Sequence, residues 1–164
     1  MDALTELLNS LPVRKPRTVK PKTTPTPEYC RQKYSQAHEQ WFKTKHPQAY
    51  AAGHYYPPKM PDCNKSNGLQ LAIQNFLTWR GHRATRISSA GRMVKGKWIP
   101  GPTRKGAADV SATIKGRSVM MEIKVGADRP SPEQLKEQQR EQAAGGVYEF
   151  IHNFEEFLKL YDTL

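Results

Sequence analysis

Glu122 and Lys124 stand two residues apart in the alternating run Ser118 to Val125, and Asp109 opens a second such run that ends at Ile114. Between the runs lies Lys115-Gly116, a dipeptide that suits a two-residue hairpin turn. With that turn, pairing starts at Ile114 with Arg117 and sets Asp109 directly opposite Glu122. Side chains alternate along a strand, so Lys124 shares the face of Glu122, while Val110, Ala112, Ile114, Val119, Met121, Ile123 and Val125 form the apolar face. Two opposed carboxylates repel unless positive charge lies between them. A divalent cation supplies it. Magnesium takes one or two carboxylates and keeps water and substrate phosphate as its other ligands. Such an ion polarises a phosphate and lowers the pKa of a bound water, and a nearby ammonium positions that water or stabilises the developing charge. Glu-x-Lys is equally at home on a solvated sheet face, so the register carries the argument.

The elements that must hold this hairpin follow from periodicity. Leu69, Ile73, Phe76 and Leu77 recur at helical spacing, which predicts a helix over 66–80 with Asn64 or Ser66 as cap and Gly81 as stop. His82 to Ser88 reads as a strand, Ser89 to Lys97 as a basic loop, and Trp98 to Arg104 as a crossing punctuated by Pro and Gly. After the hairpin, Ser131 begins a helix with Pro132 at its first position and Gln134 completing a capping box, ending at Gly145-Gly146. Val147 to Ile151 is a strand. A last helix starts at Asn153-x-x-Glu156 and buries Phe154, Phe157, Leu158 and Tyr161. The order is α-β-β-β-α-β-α, an α/β domain over residues 63–164.

Upstream, residues 1–27 hold five prolines from Pro12 to Pro27 and five basic side chains (Arg14, Lys15, Arg17, Lys20 and Lys22), after a short apolar pattern at Leu4, Leu7, Leu8 and Leu11. This composition cannot bury a core and predicts a disordered arm that either grazes phosphates or keeps the chain soluble. Residues 28–62 form a helical and irregular extension. Its helix, Glu28 to Lys45, carries Tyr34, Ala37, His38, Trp41 and Phe42 on one stripe, for core packing or for an interaction surface. His46 to Asp62 reads as irregular.

With 164 residues, one compact domain and an appendage fit where two full domains do not. The net charge of +11 and pI near 9.8 favour a polyanionic partner, nucleic acid first. No apolar stretch is long enough to span a bilayer and no secretion signal is present, so the expected location is cytoplasmic and no membrane partner is expected. Cys30 and Cys63 lack the spacing of a zinc ribbon. A zinc site from Cys30, His38, His54 and Cys63 matches no standard template, and two unrelated thiols fit better.

Gly106-Ala107-Ala108-Asp109, Glu122-Ile123-Lys124, Gln134 and Gly145-Gly146-Val147-Tyr148 together resemble the PD-(D/E)XK nuclease superfamily, specifically its VRR-NUC branch, over about residues 64–157. The resemblance implies a restriction-endonuclease-like core, αβββαβ, with a mixed central sheet flanked by helices. It also implies a phosphodiesterase on DNA that depends on Mg²⁺ or Mn²⁺. Asp109, Glu122 and the Ile123 carbonyl would be metal ligands, Lys124 the catalytic lysine and Gln134 an accessory catalytic residue, a role that stands beside its place in the capping box. Compact phage and bacterial members of that branch resemble dimeric junction-cutting enzymes, so a homodimer acting in phage or bacterial replication, recombination or repair is one expectation. Two positions depart from the pattern. Ala108 stands where proline is usual, and Asn67 stands where the first helix normally offers a Glu, which bears on a second metal site.

Arg86, Ser88, Arg92, Lys95, Lys97, Arg104 and Lys105 precede Asp109 and are the expected phosphate contacts. No base-reading motif is present, which points to recognition of backbone and shape. Trp98 is suited to stacking on an unpaired base or to anchoring the core. The expected activity is a Mg²⁺-dependent DNA endonuclease, set against a non-cutting DNA-binding module with the same fold and a basic packaging accessory.

Overall fold

The structure, a computed structural model, describes residues 25–87, 92–99 and 106–164. Among the described residues, three helices precede the first strand: α1 (Glu28–Lys45), α2 (Pro47–Ala51) and α3 (Ser66–Trp79). Then come β1 (Arg83–Arg86), β2 (Arg92–Val94), β3 (Lys97–Ile99), β4 (Val110–Ile114), β5 (Arg117–Ile123), α4 (Pro132–Ala143), β6 (Val147–Ile151) and α5 (Phe154–Thr163). The main sheet is mixed, in the order β1-β4-β5-β6, antiparallel except for the parallel pair β5–β6 that α4 connects. β2 and β3 form a separate two-stranded sheet.

Alternation decides what each face of the main sheet meets. Val110, Ala112, Ile114, Val119, Met121 and Ile123 are buried on one side, against Leu69, Ile73, Phe76 and Leu77 of α3 and Phe154, Phe157 and Leu158 of α5. Aromatic rings lock these helices together: Phe76 meets Phe154, Phe157 and Tyr161 edge-on at 5.2–5.9 Å between centroids. The extension expected over 28–62 shares this core, because Cys30, Tyr34 and Ala37 of α1 are fully buried in it and Tyr34 packs edge-on against Trp79 and Phe154. The α1 stripe is therefore partly core. Cys30 and Cys63 are free buried thiols in the same core, and among the described residues no group of three His, Cys, Asp or Glu is arranged to hold a metal.

The hairpin β4–β5 has the expected register, from Ile114 with Arg117 to Val110 with Met121. Lys115 (φ 48°) and Gly116 (φ 83°) are both left-handed, the backbone of a type I′ turn whose twist matches that of its strands. α4 has the capping box read from the sequence: Ser131 Oγ accepts from the Gln134 N–H and Gln134 Oε1 accepts from the Ser131 N–H.

Several boundaries differ. The basic loop expected over Ser89 to Lys97, and the crossing after it, contain the hairpin β2–β3, turned by Lys95 (φ 48°) and Gly96 (φ 75°). It is a second Lys-Gly reversal of the same kind, between runs of only three residues. α3 is capped by neither Asn64 nor Ser66. Its N-cap is Lys65, without a side-chain bond, and Gly68 lets the helix lie on the Asp62 carbonyl, which a Cβ there would overlap at 2.1 Å. The irregular segment His46 to Asp62 includes the short helix α2, begun by Pro47. The capping box at Asn153 is half-formed: Asn153 Oδ1 accepts from the Glu156 N–H, but Glu156 turns its carboxylate to the N–H of His152 instead.

Candidate active site

Asp109, Ser111 and Thr113 on one strand and Ser118, Met120 and Glu122 on its partner occupy the sheet face opposite the core, as their alternation with Val110 and Met121 requires. α4 covers the β5–β6 half of this face. Its Glu141 Oε1 accepts from Ser118 Oγ at 3.0 Å, and Gln138 Nε2 donates to the Tyr148 carbonyl at 3.1 Å. The β1–β4 half is left open as a cleft of about 400 Å³ lined by Arg83, Thr85, Ile87 and Ser111 to Thr113. The acidic pair lies where the covered half meets the open one.

Glu122 is only 5% exposed. Its Oε1 is held by two donors: Lys124 Nζ at 3.2 Å and the side-chain amide of Gln134. Its Oε2 is buried and has no hydrogen-bond partner among the described residues. Burial, and after it the Asp109 carboxylate, push Glu122 up to about 7, against a smaller downward pull from Lys124. Asp109 sits one residue before β4 and is fixed by its main chain, whose carbonyl accepts from the Ile87 N–H at 2.8 Å. Its Oδ2 accepts from the Ile123 N–H at 3.0 Å. Lys124, 4% exposed and just past β5, is tied down by the bond from its own N–H to the Ile151 carbonyl, 2.9 Å. Its ammonium bridges Glu122 and Asp128 Oδ2, the latter at 3.4 Å.

Gln134 closes the capping box and also touches the Glu122 carboxylate. With Oε1 accepting from the Ser131 N–H at 2.8 Å, the amide has one orientation, and that orientation aims Nε2 at Glu122. The helix cap thus fixes which atom faces the carboxylate.

Gly106 anchors the strap that delivers Asp109. It has φ 84°, and a Cβ there would stand 2.6 Å from the Glu133 carbonyl oxygen in the first turn of α4. Its own carbonyl accepts from Tyr148 Oη at 3.2 Å. Tyr148 is buried, which raises its pKa, and the charges of Glu122 and Asp109 add to the effect.

Two carboxylates, main-chain oxygens and water are the lean oxygen donor set that magnesium uses, and the orphaned Oε2 of Glu122 fits a cation better than it fits a closed hydrogen-bond network. The remaining residues singled out in the sequence are dispersed. Arg86 pairs with Val110 and so lies on the α3 side of the sheet, where its guanidinium donates to Asn67 Oδ1 at 2.8 Å. Lys95 and Lys97 are exposed on the β2–β3 hairpin, and Arg92 belongs to its first strand. Ser88, Arg104 and Lys105 lie outside the described residues. Asp128 had no sequence signal beyond its proximity to Lys124, and Gly106 and Tyr148 stood in the motif without an assigned task.

Comparison with known proteins adds no relative: no family model matches the chain, and neither a curated protein nor a solved structure matches it.

Proposed function

We propose that the chain is a divalent-metal-dependent nuclease that hydrolyses phosphodiester bonds in DNA, built on the restriction-endonuclease-like core of the PD-(D/E)XK nucleases, VRR-NUC branch. The observation that carries the reading is the state of Glu122: one oxygen clamped by Lys124 and Gln134, the other buried without a hydrogen-bond partner among the described residues, and the carboxylate facing repulsion from Asp109. A buried acid this uncomfortable without a cation is a group prepared for one.

Asp109 and Glu122, with the Ile123 main chain, would hold Mg²⁺ or Mn²⁺. When bound, the ion would polarise the phosphate and acidify a coordinated water. Gln134 bonds one oxygen of Glu122, which would leave the other to meet the ion. The Lys124 ammonium, anchored by Glu122 and Asp128, would supply positive charge for the negative charge that accumulates on the pentacoordinate phosphate. The open cleft over β1 and β4 gives a backbone room beside the acids, and its hydroxyls and Arg83 are donors suited to phosphate oxygens. A basic chain of net charge +11 draws such a strand in.

One observation favours a second reading, a DNA-binding module that does not cut: at the start of α3 the amide Asn67, engaged by Arg86, takes the place of an acid. Incubation with supercoiled plasmid and with branched oligonucleotides in Mg²⁺ separates the two. Cutting that Glu122→Ala and Lys124→Ala both abolish supports the nuclease. Retained DNA binding without cutting by the unaltered chain, in Mg²⁺ and in Mn²⁺, supports the module.

A further inference from the structure

At the end of the sheet remote from Glu122, the C-terminal turns of α1 and α3 diverge and leave an open groove of about 770 Å³. Its walls include the indoles of Trp41 and Trp79, and its rim includes Lys45, Arg80, His82 and Arg83; among the described residues that line it, none is acidic. Several surface cations elsewhere on the chain are neutralised by neighbours, as Arg31 is by Glu28, Arg140 by Glu137 and Lys159 by Glu155. Lys45, Arg80 and Arg83 are exposed, and none of them is in an ion pair with a described residue. Lys45 and Arg83, with Arg80 whose guanidinium lies over the Phe76 ring at 5.5 Å, stand beside half-buried indoles and call for a ligand that is anionic along its length and flat at intervals.

We propose that the groove between α1 and α3 binds a single-stranded nucleic-acid flank, with an unpaired base on the Trp41 indole and phosphates on Lys45, Arg80 and Arg83. Trp41 is held for this. It stacks on His38 (5.5 Å, 29°), and His38 in turn meets Trp79 edge-on at 4.7 Å, so the ring is propped from the core side while remaining partly exposed. Base–aromatic stacking tolerates any sequence because every base presents a π-face. Arg83, on the edge strand β1, lines both this groove and the cleft over β1 and β4, so the two meet at that side chain on the sheet edge. A strand crossing the acidic pair and leaving over Ser111 and Thr113 reaches Arg83 and enters the groove. A duplex keeps its bases paired and gains only the phosphate contacts. A basic peptide, the other occupant of a groove this size, is disfavoured by the charge.

The inference rests on the nucleic-acid-binding half of the proposed function and not on cutting, so binding is measured in EDTA. Fluorescence anisotropy of the full chain with a labelled oligothymidylate of about 20 nucleotides is compared with a blunt duplex of equal length. Trp41→Ala is expected to weaken single-strand binding by about 5- to 100-fold and to leave duplex binding within about twofold. Lys45→Ala combined with Arg83→Ala, both at exposed positions that do not endanger folding, is expected to lower the slope of log K against log salt by roughly 1.4. If Trp41→Ala weakens both ligands equally, or neither, or if the double variant keeps the slope of the unaltered chain, the groove is not the binding site and the inference falls while the nuclease reading stands. If the unaltered chain binds neither ligand, both fall. If it binds single strands through Trp41 but never cuts in Mg²⁺, the nuclease reading alone falls.

Discussion

Replacing Glu122 by glutamine is expected to change how stability depends on pH. In the folded chain the Glu122 carboxyl is pushed from an ordinary 4.5 to about 7 by burial and by Asp109. A carboxyl whose folded value is raised contributes stability that is fully present below the unfolded value and is lost as pH rises through the folded one. Between about pH 4.5 and 7 the unfolded chain has released this proton and the native chain still holds it, so unfolding free energy falls by about 1.4 kcal/mol per pH unit. Over that window the loss is about 3 kcal/mol, or roughly 10 °C in Tm for a chain of this length. The amide introduced by Glu122→Gln would keep the bonds from Lys124 and Gln134 and carry no proton to lose, so the variant should lack this slope while other titrating groups contribute equally to both proteins. Urea unfolding at pH 5, 6, 7 and 8 in EDTA measures the difference. Saturating Mg²⁺ should flatten the slope of the unaltered chain, because the ion stabilises the charged carboxylate, and about 2.7 kcal/mol is available at a hundredfold excess over Kd. Parallel pH profiles for the two proteins in EDTA would refute the electrostatic argument. Profiles that differ but ignore Mg²⁺ would refute the metal site.

The cap and the clamp at Gln134 separate by mutation. Ser131→Ala should cost about 1 kcal/mol of stability and leave DNA cutting nearly intact, since Gln134 still reaches the main-chain N–H of residue 131 and Glu122; Gln134→Leu should cost as much and also slow cutting at least tenfold, as chemical denaturation and plasmid assays would record. Gly106→Ala places a Cβ against the Glu133 carbonyl at a left-handed φ, and should destabilise by about 2 kcal/mol and abolish stabilisation by Mg²⁺ in thermal melts, because the strap carrying Asp109 must move. Tyr148→Phe deletes the bond to the Gly106 carbonyl and should cost about 1 kcal/mol, with a weaker apparent Mg²⁺ affinity in the same melts.

What the sequence made legible is what alternation and turn chemistry control. One Lys-Gly dipeptide between alternating runs of at least five residues was enough to fix the ladder from Ile114 with Arg117 to Val110 with Met121, one step short of Asp109 and Glu122, and Ser131-x-x-Gln134 marked the start of α4 to the residue. An identical dipeptide at Lys95-Gly96 joins strands of three residues, too short for alternation to stand out from the charges around them. The start of α3 was misread because polar residues next to an apolar run suggest a side-chain cap, whereas Gly68 and the Asp62 carbonyl determine that end by close approach. Long-range partners had no local signature. Nothing near Tyr148 announces Gly106, 42 residues earlier, and nothing near Arg86 announces Asn67, 19 residues earlier.

Because β4 is aligned by its ladders with β1 and β5, and Asp109 by the Ile87 N–H, the length of chain between Ile87 and Gly106 is free to vary without moving the acid. Evolution, or an engineer, can lengthen, shorten or swap that stretch, which under the proposed function would serve as a module for gripping different DNA shapes. One residue inserted within the strand, between Val110 and Ile114, would roll Asp109 to the greasy side of the sheet, so tolerance to length change should be sharply unequal between that stretch and this single strand.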